Sequence, residues 1–222
     1  MRVDPHNLKM KEMLRSEEFG KLFMLRRRHT LATQHMKDFE NTWHVKPEFN
    51  RDIFADDAAH PIDFVYWMLG EPASVTAEMG SLLNPKIPND NAIVIFRYAD
   101  GSFAEVCCSF VAVGGENAVE ILCEKGVIVH NFGDAPSSAA PRPPGGIQLK
   151  WFTHGSNSWT ISDLPEIKTQ SERIAGLAGP LAEFFHGKRP PIATAEEGRM
   201  VLRLVLACYE SAGDGRRVSI KR

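Results

Sequence analysis

No apolar run in this sequence approaches the ~20 residues that a bilayer-crossing helix needs, and the N-terminus is charged and amphipathic, unlike a secretory leader. Charge of neither sign dominates: 26 Lys and Arg against 28 Asp and Glu leave a formal net charge of -2. That balance gives no general attraction for nucleic acid or for an acidic membrane surface, so neither is expected as a partner. Cysteine is scarce. Cys107, Cys108, Cys123 and Cys208 sit in apolar patterns with no C-x-x-C or other metal-ligand spacing. They read as buried free thiols in a reducing compartment, the cytoplasm being the simplest. No G-x-G-x-x-G follows a strand pattern, and no G-x-S-x-G is present. The usual signs of a dinucleotide cradle and of a serine-hydrolase nucleophile are therefore missing.

What is present is organised around Ala55 to Pro72, ADDAAHPIDFVYWMLGEP, the densest apolar run and the one place where acids and a histidine recur at regular spacing. On a helix Asp56, His60, Asp63 and Trp67 fall at i, i+4, i+7 and i+11, one narrow stripe. Ala58, Ile62, Val65, Tyr66 and Leu69 cover the opposite side. A helix this apolar is buried, so its polar stripe should meet hydrogen-bond partners or line a cleft. Pro61 belongs in a first turn. The regular helix is thus expected to run from near Pro61 to Leu69, with Gly70 past its end and Asp56 to His60 as a looser entering turn.

Before this helix, Pro5 to Glu18 reads as a surface helix stopped by Gly20, and Lys21 to His29 as a strand with Arg26 and Arg28 on one side and Arg27 on the other. Thr30 to Asn50 keeps no period, although His29, His35, Trp43 and His44 are spread through or beside it. After the helix come a strand over Ser74 to Leu83 and a Pro-broken loop over Asn84 to Asn91. Asp100-Gly101 between Ala92–Tyr98 and Phe103–Val111 is a strong hairpin signal that calls for positive φ at both turn residues. Val119–Cys123 and Val127–His130 make a second hairpin, and together these strands predict a meander. Gly133 to Gly146 is rich in Pro, Gly, Ala and Ser and reads as a mobile excursion. Ile147–Thr153 and Ser158–Ser162 are the last sheet strands, followed by a short helix over Leu181–His186. Thr194 to Glu197 is a capping box opening a helix to about Ser211, before a strand over Val218–Ile220. The fold class is α+β: a large, predominantly antiparallel sheet with helices packed on one face.

A histidine can accept a hydroxyl proton near neutral pH, and a carboxylate one turn away can orient its ring and stabilise the imidazolium. Asp56 and His60 have that relation in sequence. In the competing reading, Asp56 or Asp57 caps the helix and His60 is a satisfied buried histidine. Asp56, His60 and Asp63 as metal ligands form a third, but no further strong ligand is identifiable.

Asp56-x-x-x-His60-x-x-Asp63 followed by Trp67-Met68-Leu69-Gly70-Glu71-Pro72 resembles the signature of the glucose-fructose oxidoreductase, inositol dehydrogenase and MocA family. Arg2-Val3-Asp4-Pro5 with Lys11 and Gly20-Lys21 is similar to the opening of that family's second domain. Thr194 to Gly198, Tyr209-Glu210-Ser211 and Gly215 to Val218 are similar to its end. Asn50-Arg51-Asp52 departs from the usual glycine run before the motif, and Ala58 stands where glycine is common.

The resemblance implies that residues 1–222 form a single C-terminal domain for substrate and oligomer contacts, with no counterpart of the family's dinucleotide-binding domain or its catalytic lysine. It implies a sugar or polyol substrate, and NAD or NADP for the complete enzyme but no cofactor bound by this chain alone. His60 and Asp56 match the family's base and acid, while Trp43 and Asp63 are candidates for substrate contact, with a structural role favoured for Asp63 and a core role equally open for Trp43. The expected partners are a dinucleotide-binding domain and a second copy, since Ile93, Val94, Ile95 and Phe96 make both faces of the sheet look apolar and helices cover one. A non-catalytic, sheet-mediated oligomerisation or interaction module is the alternative.

Overall fold

The computed structural model describes residues 1–33, 36–114, 116–134, 146–165 and 170–220. Its frame is one open, mostly antiparallel sheet of nine strands. In chain order these are β1 (Leu22–Thr30), β2 (Ser74–Gly80), β3 (Asn91–Arg97), β4 (Phe103–Ser109), β5 (Glu116–Cys123), β6 (Gly126–Asp134), β7 (Leu149–Thr153), β8 (Thr160–Ile161) and β9 (Val218–Ser219). In space they run β8-β7-β6-β5-β1-β4-β3-β2-β9. The helices are α1 (Pro5–Met13), α2 (Ile53–Asp57), α3 (Ala59–Leu69), α4 (Gln170–Ala175), α5 (Ala178–Phe185) and α6 (Ala195–Asp214). The α+β class holds.

The hairpins fall where the turn chemistry puts them, but the meander does not. β3 pairs with β4 from Asn91↔Ser109 to Arg97↔Phe103, and β5 with β6 through Cys123↔Gly126. Between β4 and β5, however, lies β1, antiparallel to β5 and parallel to β4. Local turn signals carry no information about a strand that arrives from earlier in the chain. The Asp100-Gly101 turn also differs in type. Only Gly101 takes a positive φ, 89°, and its N–H closes on Tyr98 O, so Ala99 and Asp100 are the central residues and Gly101 forms the bulge that follows them.

Strand alternation separates two faces. Leu25, Val94, Phe96, Val106 and Ile121 are fully buried, and α3 and α6 pack on their side. Arg27, on the same side of β1, is only 4% exposed. Its neighbours Arg26 and Arg28 face the open side, so the three arginines separate as the period of two requires. That open face is not wholly apolar. Ile93 and Ile95 are exposed on it, while Arg26 bridges Glu105 at 3.2 Å and Glu120 at 3.0 Å.

Several elements differ in extent from the sequence expectation. Helix α1 stops at Met13 rather than Glu18, and it buries His6, Asn7, Met10 and Met13. It is a packed element rather than a surface helix. The last strand before α4 shrinks to Thr160–Ile161, and β2 ends at Gly80. Helix α6 opens on the expected capping box and continues past Gly213 to Gly215, whose φ of 63° ends it. Of the stretch read as a mobile excursion, residues 135–145 lie outside the described residues, as does His35.

Candidate functional site

The site begins at Asp52, which fixes where the helical segment starts. Its carboxylate accepts the Ala55 N–H at 2.9 Å and the Asn89 side-chain N–H at 2.6 Å, and the Tyr209 hydroxyl of α6 also donates to it. The Arg51 guanidinium lies 3.7 Å over the Tyr209 ring. The cap of α2 is therefore Asp52, not Asp56 or Asp57, and Asn50-Arg51-Asp52 supply polar anchors at the entrance to the motif. Ala58 stays in the right-handed helical region at φ -68°, so α2 runs almost directly into α3. Helix α3 starts at Ala59, two residues before the expected Pro61. Pro61 still occupies the first turn, where a missing N–H costs no intrahelical bond.

Asp56 and Asp57 are consecutive, so their side chains diverge, and each meets a histidine that the sequence keeps distant. His44 Nδ1 lies 2.6 Å from Asp56 Oδ2. His29 Nε2, at the end of β1, lies 3.0 Å from Asp57 Oδ2. His60 Nε2 is 4.0 Å from Asp57 Oδ1, and its side chain is 68% exposed. The Asp56–His60 pairing suggested by the i, i+4 spacing is thus not the pairing formed. The 3₁₀ turn Trp43–Val45 carries His44 to Asp56 instead. Nor is His60 a satisfied buried histidine.

His44 is held from several directions. Its ring stacks on Trp43 at 3.9 Å between centroids and on Phe39 at 5.4 Å, and its carbonyl accepts the Asn50 side-chain N–H at 2.8 Å. In sequence it reads as a polar loop residue, because residues 30–50 have no period. The one available sign was an aromatic next to a histidine shortly before the motif.

Burial pushes the His29 imidazole below its ordinary pKa of 6.5, against the opposing pull of Asp57. The ring is therefore neutral near pH 7 and donates its Nε2–H to Asp57. Its Nδ1 is buried with no hydrogen-bond partner among the described residues. Asp57 is accordingly anchored through Oδ2 by His29, with His60 4.0 Å from its Oδ1.

The other end of the stripe belongs to the scaffold. Arg2 grips Asp63 through two bonds, Nε to Oδ2 at 3.1 Å and Nη2 to Oδ1 at 2.7 Å, and reaches Glu197 of α6 at 2.8 Å. Lys11 Nζ donates to the Trp67 carbonyl at 2.6 Å and sits 4.1 Å over its ring. Trp43 is 52% exposed beside His44, at the rim. The structure thus pairs Asp56 with His44 beside Trp43, pairs Asp57 with His29 and places His60 near it, and engages Asp63 in a clamp that ties the N-terminal segment to α3 and α6.

Among the described residues no group of three or more His, Cys, Asp or Glu side chains is placed to hold a metal ion, and no helix is long and apolar enough to cross a membrane. Cys107, Cys108, Cys123 and Cys208 are free. Nor, among the described residues, does any strand pass through a glycine turn into a helix in the way that holds a pyrophosphate.

Residues 7–129 match the family model described as the GFO/IDH/MocA C-terminal domain. No curated protein matches the sequence. Solved structures share the fold. The WlbA dehydrogenase from Bordetella pertussis, in complex with NADH and UDP-GlcNAcA, superposes with a TM-score of 0.73 at 18% identity, over 100% of this chain and 62% of its own. A myo-inositol dehydrogenase from Corynebacterium glutamicum gives 0.70 at 23% identity, over 100% of this chain and 63% of its own. The chain therefore spans less than two thirds of the length of either.

Proposed function

The chain belongs to the GFO/IDH/MocA C-terminal domain family, and from that premise we propose that it is the substrate-handling part of a nicotinamide-dependent dehydrogenase acting on a sugar or polyol hydroxyl. The observation that carries the proposal is the seating of Asp56 and Asp57 at the start of the motif helix, each with a histidine, beside an open imidazole at His60. Oxidation of an alcohol removes a hydroxyl proton and a hydride. The hydride goes to a nicotinamide held outside this chain, since the described residues contain no dinucleotide cradle. The proton falls to this chain, and His60, two-thirds exposed and close to the Asp57 carboxylate, is the acceptor. The Asp57 side chain stabilises the imidazolium that forms, and His29 keeps it in place. Trp43 offers an exposed aromatic face to the carbon skeleton of the substrate.

The same proposal takes residues 1–222 as a single C-terminal domain that works with a dinucleotide-binding domain and is inactive without one. It assigns the open face of the sheet, with exposed Ile93 and Ile95, to contact with a second copy. Reducing cytoplasm suits the four free thiols. The test is NADH formation, followed by absorbance, when the chain is supplied with a dinucleotide-binding domain of this family and offered myo-inositol, simple hexoses and nucleotide-sugar uronic acids. Cofactor reduction dependent on both parts is expected. No reduction with any of these substrates, with either NAD or NADP, would overturn the proposal.

A further inference from the structure

Asp56 carries the family motif's acid position, yet its carboxylate contacts neither His60 nor open solvent alone. It holds His44 Nδ1 at 2.6 Å. A carboxylate only accepts hydrogen bonds, so Nδ1 carries the proton and Nε2 on the far edge of the ring is left to interact elsewhere. Stacking of Trp43 and Phe39 on the ring fixes its plane and leaves its edge as the polar part on offer. The side chain is neither buried nor loose: 32% of it is exposed, and its backbone is tied down by Asn50. These are the features of a histidine oriented by a carboxylate for contact with a reactant. His44 and His60 stand along the same face of the motif segment, because His44 pairs with Asp56, which lies one helical turn before His60 on a chain that stays helical through Ala58.

We propose that His44 is a substrate-contacting residue of this site, accepting a hydrogen bond through Nε2 from a substrate hydroxyl beside the one that is oxidised, and that Asp56 acts through it. This rests on the dehydrogenase reading for the identity of the ligand, a polyhydroxylated ring with hydroxyls on neighbouring carbons. The exposed Trp43 ring next to His44 suits such a ligand, whose C–H groups form an apolar patch between its hydroxyls. It also gives the two consecutive acids Asp56 and Asp57 separate tasks. Asp57 serves the histidine that takes the proton, and Asp56 serves the histidine that holds the substrate in register.

The experiment has two arms. In the first, the chain alone is treated with diethyl pyrocarbonate and the modification of each histidine is timed by peptide mass spectrometry, for the parent and for Asp56→Asn. His44 is expected to react readily in the parent and several-fold more slowly in D56N, with His60 little changed. Equal rates at His44 in the two chains would overturn the proposal whatever becomes of the dehydrogenase reading. In the second arm, the chain supplied with a dinucleotide-binding domain is assayed with a polyol and with its analogue lacking the neighbouring hydroxyl. His44→Gln should raise KM for the full polyol more than it lowers kcat, lose that effect on the deoxy analogue, and leave D56N with no further effect. An unchanged KM, or losses from H44Q and D56N that simply multiply, would also overturn it.

Discussion

Arg2 grips Asp63 through a two-pronged contact, with Nη2 2.7 Å from Oδ1 and Nε 3.1 Å from Oδ2, across 61 positions of sequence. Arg2 is 8% exposed, so removal of its partner would leave a buried charge with only Glu197 to balance it. Asp63→Asn is therefore expected to destabilise the fold by about 3 kcal/mol, in the range for breaking a buried ion pair. Urea unfolding of the chain measures this. A substrate role for Asp63 predicts the opposite pattern, unchanged stability with a raised KM in the assembled enzyme.

Tyr209 connects α6 to the start of the site through its hydrogen bond to Asp52. Tyr209→Phe keeps the ring against Phe54 and Arg51 but removes the hydroxyl. A loss of about 1.5–3 kcal/mol is expected, the usual scale for a hydrogen bond to a charged group. Hydrogen exchange should also show faster opening of amides at the start of α2, which Asp52 caps. Unchanged exchange there would mean that Asn89 and the Ala55 N–H hold Asp52 without help.

The stability of the chain should fall with acid in two stages. Burial drives His29 and His130 below the ordinary 6.5, so as pH drops past that value the unfolded chain takes up protons that the folded chain refuses. Stability is full above this point and declines below it, and His29→Gln should lessen the decline. Asp4 accounts for the second stage. Its burial alone would raise its pKa, but the hydrogen bond with His6, the charges of His130 and Arg173 and the Asn7 N–H outweigh that and bring it from 3.8 down to about 2. Its contribution is present above 3.8 and is lost as pH falls toward 2. Denaturant midpoints measured from neutral pH downward give both stages, and a midpoint independent of pH above 4 would contradict the first.

If the open sheet face joins two copies, Arg26 lies where they meet, bridging Glu105 and Glu120. Arg26→Glu would set three acids side by side on adjacent strands and should convert a dimer to a monomer while leaving the helix-covered core intact. Light scattering at micromolar concentration reads the mass of both proteins. A monomeric parent would exclude this face as a self-association surface.

Local chemistry made much of this fold legible. The Thr194 capping box, the Gly101 turn and the alternation of Arg26, Arg27 and Arg28 each act over a few residues, and each is found where the sequence places it. The insertion of β1 between β5 and β4 was not legible, because strand order depends on pairings across about a hundred positions. The site divides in the same way. Asp56, His60 and Asp63 were visible from helical spacing, whereas His29 and His44 reach the carboxylates only through tertiary folding. Helical spacing also put Asp56 with His60, since i, i+4 neighbours face one another on an ideal helix. In the folded chain the carboxylate takes the closer partner that the loop delivers.

The central claim is that His60 takes a substrate proton for a hydride transfer whose acceptor lies outside this chain. The measurement that bears on it most directly is turnover of His60→Asn in the chain supplied with a dinucleotide-binding domain, alongside the cofactor affinity of the same assembly. A fall in kcat of about 10²- to 10⁴-fold is expected for loss of a general base, with the cofactor Kd unchanged. Turnover equal to that of the parent, or a loss of activity that follows a loss of cofactor binding, would contradict the account.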